Sequence, residues 1–139
     1  MTLPAVVFVC GRNSVRSPMA EALWKARFGK DAPVVSCGVE PADYADGFMI
    51  AVMREEGADL SGFEPQGLDA VPDLTGARVI CLAAEAHEAA AALAKRCYAR
   101  LEDWHLADPV SMEGSREARL EAYRAVRKAL KARIAAITQ

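Results

Sequence analysis

A cysteine and an arginine flank five residues near the start of the chain, within residues 10–17, which read CGRNSVRS. A thiol beside an arginine and a helix N-terminus is favoured as the thiolate, the nucleophilic form of cysteine. The planar guanidinium group of arginine can hold two oxygens of one phosphate. The spacing therefore predicts a site at which Cys10 attacks a phosphorus atom that Arg16 holds in place.

Two elements are predicted to position this segment. The apolar run Ala5–Val9 is short and β-branched, which favours a buried strand. Ser17 is a good N-cap residue and Pro18 suits the first helical position, so we expect a helix over Pro18–Phe28 that ends at Gly29. The chain must turn sharply between the two elements, and such a turn can direct successive backbone N–H groups toward one anion.

The residues of this turn are predicted to bind the phosphate group of a substrate. Asn13 tolerates the left-handed backbone that a tight turn requires. Ser17 can donate its hydroxyl to the sulfur of Cys10, a role that competes with helix capping. The predicted substrate-binding residues are Gly11, Arg12, Asn13, Ser14, Val15 and Ser17.

A second functional group is expected on another loop, because cleavage of a phosphate ester needs an acid that protonates the leaving oxygen. Asp108 follows a weak strand predicted over Arg100–Leu106, and Pro109 keeps it on a loop. Ligands of open parallel sheets bind beyond the carboxyl ends of the strands, so Asp108 is predicted to face Cys10 as the general acid.

Strands and helices alternate along the rest of the chain, which is typical of a parallel sheet with helices on both faces. We predict an α/β fold with a four-stranded parallel sheet in a single domain, residues 1–139. The further predicted elements are strands Pro33–Cys37 and Arg78–Leu82, a helix that contains Phe48 and Met53 and stops at Gly57, a short helix around Leu68, helix Ala83–Cys97, a loop over Asp108–Gly114 and a final helix Ser115–Ile137.

Composition bounds the function class. The net charge of −2 gives no basic footprint for nucleic acid, and no apolar stretch approaches the ~20 residues of a membrane span. The start of the chain has no signal-peptide pattern, so we expect a cytoplasmic protein. With His87 and His105 as the only histidines and no cysteine pair, neither a metal nor a cofactor is predicted. The four cysteines are far apart and are expected to be free thiols: Cys10, Cys37, Cys81 and Cys97.

These motifs resemble those of the low-molecular-weight protein tyrosine phosphatases, whose superfamily also contains the thioredoxin-coupled arsenate reductases. The resemblance rests on Val9-Cys10, Asn13, the run RSPMAE that begins at Arg16, and Asp108-Pro109, and it extends over nearly the whole chain. It implies a phosphatase-I-like three-layer sandwich. It also implies a phosphocysteine intermediate on Cys10, with Asp108 acting first as acid and then as base, without a metal.

Several positions depart from the usual pattern of that family. Its loops commonly read Cys-x-Gly-Asn-x-Cys-Arg, whereas Arg12 stands here at the glycine and Val15 at the second cysteine. Its tyrosine phosphatases often carry aromatic residues after the acid, whereas Val110 and Met112 follow Pro109 here. A flat aromatic substrate would therefore find fewer stacking partners.

Three functions remain open from the sequence. The leading one is a phosphomonoester hydrolase of the protein tyrosine phosphatase type, acting as a monomer or weak dimer on a phosphorylated protein or a small phosphoester. The second is arsenate reduction, which needs additional cysteines to relay electrons, whereas Cys81 is predicted to lie inside a strand. The third is a non-catalytic module that binds phosphate or a phosphoprotein, suggested by Arg12 and the thin substrate wall.

Overall fold

Four short strands form one parallel sheet in the computed structural model, which describes residues 5–72 and 74–137. The strands lie in the order β2-β1-β3-β4, so β1 is an inner strand, and all five of its residues are buried. The β-branched sequence of β1 suits this position. The strands are β1 (Val6–Cys10), β2 (Val34–Gly38), β3 (Arg78–Cys81) and β4 (Arg100–Asp103).

Helices cover both faces of the sheet. The connection from β1 leads to β2 at one edge of the sheet, and the connection from β3 leads to β4 at the other edge. Because both crossovers are right-handed, the intervening helices lie on opposite faces. The last helix packs against the first two. The predicted α/β fold is confirmed, with helices α1 (Arg16–Phe28), α2 (Gly47–Arg54), α3 (His87–Arg96) and α4 (Arg116–Ala135) and 3-10 turns Leu68–Ala70, Ala84–Ala86 and Pro109–Ser111.

The start of α1 differs from the prediction. The helix begins at Arg16, and Val15 occupies the N-cap position without a side-chain hydrogen bond. Ser17 is therefore not the cap, and Pro18 is not the first helical residue. The Ser17 hydroxyl bonds instead to Cys10 at the end of β1 and to Asn13 in the following turn, which leaves the N-terminal N–H groups of α1 open to another acceptor.

Two boundaries differ at the far side of the sheet. The predicted helix Ala83–Cys97 is divided, because the extended backbone of Ala83 leads into a 3-10 turn before α3 begins at His87. Strand β4 ends at Asp103 rather than at Leu106, although the backbone N–H of Leu106 still bonds to Leu82 at 3.1 Å. The chain therefore continues beside β3 as far as the loop that carries the predicted acid.

The final helix confirms its predicted apolar face. The buried residues of α4 recur at helical spacing and pack onto the core beside α1 and α2: Leu120, Tyr123, Val126, Leu130 and Ile134. No helix in the described part of the chain is both long and apolar enough to span a membrane.

Candidate active site

The anion loop, defined as residues 10–16, joins β1 directly to α1. Cys10 is the last residue of β1 and is 2 % exposed. Its Sγ lies 2.9 Å from the Ser17 hydroxyl oxygen and accepts a hydrogen bond from the backbone N–H of Asn13 at 3.3 Å. The sulfur is therefore within hydrogen-bonding distance of one hydroxyl group and one backbone N–H.

The carbonyl groups of the anion loop are bonded to the segment that follows β2. The carbonyls of residues 10, 11, 12 and 14 accept from the N–H groups of residues 39, 40, 42 and 46 at 2.8–3.1 Å. Within residues 5–72 and 74–137, Asn13 is the one residue from 11 to 16 whose N–H bonds to another protein group. The remaining N–H groups are thus left as donors for an anion held by the loop.

Asn13 ties the loop to the rest of the fold. Its φ of 52° is the left-handed conformation that the sequence predicted, and its side chain is fully buried. Its amide nitrogen donates to the hydroxyls of Ser17 (2.7 Å) and Ser36 (3.0 Å), while its carbonyl oxygen accepts from the N–H of Gln66 at 2.8 Å. The side chains of Asn13 and Ser17 therefore shape the loop from beneath rather than line its cavity.

Gly38 is a further determinant that sequence reasoning missed. A Cβ at this position would lie 2.5 Å from the Asn13 nitrogen and 2.7 Å from the Arg12 carbonyl carbon. Only glycine allows β2 to approach the loop so closely. Arg12 does not need the backbone freedom of glycine, because its φ is not positive. Among the described residues, Asn13 and Tyr98 are the non-glycine residues with positive φ. An arginine therefore fits at the position where the family pattern has glycine.

Arg16 reaches across the site from the first turn of α1, and its side chain is 7 % exposed. Its Nη1 donates to the Leu106 carbonyl at 3.2 Å, and its Nη2 donates to Glu85 Oε1 at 2.7 Å. Partial burial raises the pKa of the Glu85 carboxyl, but hydrogen bonds from its own backbone N–H and from Arg16 hold that pKa below its usual value. The sequence prediction missed Glu85, although it follows β3, the neighbour of β1, at the carboxyl edge.

Asp108 lies on the same edge, as predicted. Its Oδ2 is 4.0 Å from Arg16 Nη2, and its Oδ1 accepts from the N–H of Val110 at 3.0 Å. Its side chain is about half exposed. A cavity of about 320 Å³ brings the predicted acid together with the anion loop; its lining is Cys10, Gly11, Arg12, Ser14, Val15, Arg16, Val39, Glu40, Glu85, Asp108 and Val110.

The other cysteines are placed for packing. All four are free thiols and buried. Burial, followed by the nearby Cys10, raises the pKa of Cys37 to about 12. Burial also raises the pKa of Cys81, whose Sγ donates to the Ala83 carbonyl at 3.0 Å. Both thiols therefore stay protonated at neutral pH.

The two histidines meet at Asp103, away from the anion loop. His87 Nδ1 lies 3.0 Å from Asp103 Oδ1, and His105 Nε2 lies 3.8 Å from the same oxygen. Within residues 5–72 and 74–137 no group of three or more His, Cys, Asp or Glu side chains is arranged to hold a metal ion.

A thiol at a strand end, under a turn of free N–H groups and opposite a carboxyl group, is the arrangement expected of a cysteine-based α/β protein with an oxyanion loop. Within this class, the chain belongs to the low molecular weight phosphotyrosine protein phosphatase family, whose sequence model matches residues 5–139.

The proteins to which the chain is similar include arsenate reductases and a phosphatase. The chain is 33% identical over 137 residues to the glutaredoxin arsenate reductase of Synechocystis sp., covering 93% of this chain and 92% of that protein. The structure of an arsenate reductase in the oxidized state matches with a TM-score of 0.76 at 30% identity, covering 95% of this chain and 94% of the other. The arginine phosphatase of Geobacillus stearothermophilus shares the fold, with a TM-score of 0.72 at 24% identity over 96% of this chain and 89% of the other.

Proposed function

We propose that the protein is a cysteine-dependent phosphomonoester hydrolase of the protein tyrosine phosphatase type. The observation that carries the proposal is the position of Asp108, whose Oδ2 lies 4.0 Å from Arg16 Nη2 in the cavity that Cys10 lines. A phosphate held by Arg16 would have a sulfur nucleophile beneath it and a proton donor at the mouth of the cavity. Ester cleavage requires this arrangement.

The first chemical step transfers the phosphoryl group to the enzyme. The loop N–H groups and Arg16 hold the nonbridging phosphate oxygens and offset their charge. The Cys10 thiolate attacks phosphorus, the bond from phosphorus to the ester oxygen breaks, and Asp108 gives its proton to that oxygen. The products are a phosphocysteine and the free alcohol or phenol.

The second step restores the enzyme. Asp108, now a carboxylate, takes a proton from a water molecule, and the water oxygen attacks phosphorus. The bond between phosphorus and sulfur breaks, which releases inorganic phosphate and returns the Cys10 thiolate. The Ser17 hydroxyl, 2.9 Å from Sγ, stabilises the departing thiolate by hydrogen bonding.

For the substrate we propose a phosphorylated protein or a small phosphoester. Val39 and Val110, both about half exposed, supply apolar surface beside the anion loop. Neither offers the stacking that an aromatic residue would give. We also propose that the protein acts in the cytoplasm, since four free thiols suit a reducing compartment. For its oligomeric state we propose a monomer or weak dimer.

The test is an assay of purified protein on an aryl phosphate, a phosphotyrosine peptide and an alkyl phosphate. Wild type should release phosphate, and Cys10→Ser should abolish the release. Cys97→Ser is the matched control, because Cys97 is a buried thiol at the end of α3 that does not line the cavity, and it should retain activity. Tight binding of phosphate by folded wild type without turnover of any ester would instead identify a binding module.

Arsenate reduction is the second candidate, favoured by the two curated relatives named as arsenate reductases at 33% and 30% identity. Arsenate has the shape and charge of phosphate and would enter the same loop. Reduction needs two electrons from thiols, and the hydrogen-bonded Cys81 is a poor relay in its present position. Arsenate consumption that requires a thioredoxin system and is lost in Cys81→Ser would favour the reductase, whereas unchanged ester hydrolysis by Cys81→Ser supports the phosphatase.

A further inference from the structure

Glu85 places a negative charge on the guanidinium group that is expected to bind phosphate. We propose that Glu85 competes with the substrate phosphate for Arg16 and so sets the affinity of the anion loop for oxyanions. This inference rests on the proposed function only in assuming that the loop binds a phosphate-like anion. It assigns to Glu85 a role in specificity rather than in the chemical steps.

The position of the carboxylate supports competition. Glu85 Oε1 lies 2.7 Å from Arg16 Nη2 and 3.3 Å from the point that a Cβ on Gly11 would occupy. It is therefore bonded to the guanidinium group and lies close to the first turn residue of the anion loop. An oxygen of a bound phosphate would seek the same arginine N–H, together with the neighbouring loop N–H groups.

Arg16 has little freedom to serve both anions by moving. Its side chain is 7 % exposed, and its Nη1 is already bonded to the Leu106 carbonyl at 3.2 Å. A phosphate on the same guanidinium would add like charge beside the Glu85 carboxylate. Repulsion between the two anions must weaken phosphate binding unless Glu85 turns away.

Glu85 itself is able to turn away. It lies in the middle of the 3-10 turn Ala84–Ala86, and its side chain is 56% exposed. Within the described residues, Arg16 is the one other residue to which its side chain bonds. Displacing the carboxylate into water therefore costs one ion pair, which partial exposure keeps modest.

A purely positioning role predicts the opposite result. If Glu85 mainly holds Arg16 in place, its removal should weaken phosphate binding. If it competes with the anion, its removal should strengthen binding, because the Leu106 carbonyl still orients the guanidinium. The sign of the change in affinity separates the two roles.

The experiment is isothermal titration of inorganic phosphate into wild type, Glu85→Gln, Glu85→Ala and Glu88→Gln at one neutral pH and one ionic strength. Glu88→Gln is the matched control, since Glu88 is an exposed residue in the first turn of α3 and does not line the cavity. We expect the dissociation constant for phosphate to fall about tenfold in both Glu85 variants, because each removes one partly screened negative charge beside the anion. In the control it should change less than about twofold.

An unchanged or weaker affinity in both Glu85 variants would overturn the inference, as would the absence of phosphate binding in all four proteins. Phosphate binding needs no turnover, so the inference and the proposed function can fail separately. Tighter binding by the Glu85 variants with no hydrolysis of any ester would uphold the inference and reject the hydrolase. Hydrolysis by wild type with no gain in affinity on removing Glu85 would do the reverse.

Discussion

The two loops that meet at the cavity are built in opposite ways. In the anion loop and the adjoining Ser17, five of eight residues are buried, and bonds reach β2, Gln66 and the segment before α2. In the acid loop, defined as Asp108–Met112, only Pro109 is buried, and the internal hydrogen bonds join residues at most three positions apart.

This difference suits the two loops to different parts of the proposed reaction. The anion loop is fixed before a ligand arrives, so its N–H groups need little reorganisation to hold a phosphate. The acid loop is restrained mainly by local contacts, so Asp108 can adjust to leaving groups of different shape. In the proposed function, phosphate recognition would therefore belong to the rigid loop, and discrimination among leaving groups would belong to the exposed one.

The largest expected effect is a loss of activity, without a loss of stability, on replacing Asp108. Asp108→Ala should lower kcat for an alkyl phosphate by about 10²–10⁴-fold, because the leaving oxygen loses its proton donor. The free energy of unfolding should change by less than about 0.5 kcal/mol, since the residue is exposed. Steady-state kinetics and urea unfolding measure the two quantities.

Glu113→Ala, at an exposed neighbouring position, is the control for Asp108 and should leave kcat within about twofold of wild type, as for other surface changes outside a site. Equal losses in the two variants would mean that the acid loop has no specific proton donor at Asp108.

The next effect tests the rigidity of the anion loop. Asn13→Ala should reduce the free energy of unfolding by about 2–4 kcal/mol, because the buried hydroxyls of Ser17 and Ser36 and the half-buried N–H of Gln66 lose their amide partner. Ser111→Ala removes an exposed hydrogen bond from the acid loop and should cost less than about 0.5 kcal/mol. Similar urea midpoints for the two variants would contradict the contrast between the loops.

These assignments also show what the sequence reveals. Cys10, Asn13 and Arg16 could be placed in one loop from the sequence, because a strand end, a left-handed turn and a helix start are signalled by residues that are close together in the chain. Glu85 and Gln66 could not, because they reach the loop through the sheet order and a long connection. Of the two roles that the sequence indicates for Ser17, the structure shows the hydroxyl beside the Cys10 sulfur and not the helix cap, because the capping preference gives way to buried bonds with Cys10 and Asn13.

A smaller effect is expected from the wall of the acid loop. Val110→Tyr adds an aromatic ring at a half-exposed position that lines the cavity. The KM for an aryl phosphate should fall about two- to tenfold, the range of a single aromatic contact, while the KM for an alkyl phosphate stays unchanged. A parallel fall for both substrates would show that the ring acts on the phosphate site rather than on the leaving group.

The smallest effect concerns the surface that braces the anion loop. Asp46 donates its N–H to the Ser14 carbonyl and caps α2, which is joined to α4 by ion pairs of Glu55 with Arg124 and Arg127. Hydrogen bonds from Arg124, then from Arg127, lower the pKa of Glu55 to about 2 from an ordinary value of 4.5. The pair therefore stabilises the folded state above pH 4.5 and loses this contribution as the pH falls toward 2.

Urea midpoints measured from pH 6 down to pH 2 should fall less steeply in Glu55→Gln than in wild type. Phosphate affinity near pH 7 should be the same in both proteins, because the change lies outside the cavity. Identical pH profiles would show that the ion pairs of Glu55 contribute nothing to the stability of the folded state.

The most direct test of the central claim is to search for the covalent intermediate. Wild type mixed with an aryl phosphate and quenched within the first turnovers should yield a peptide phosphorylated on the sulfur of Cys10, identified by mass spectrometry under conditions that preserve the bond between phosphorus and sulfur. Cys10→Ser should yield none and should release no phosphate. Continued hydrolysis by Cys10→Ser, or a phosphoryl group found on another residue of wild type, would contradict the account.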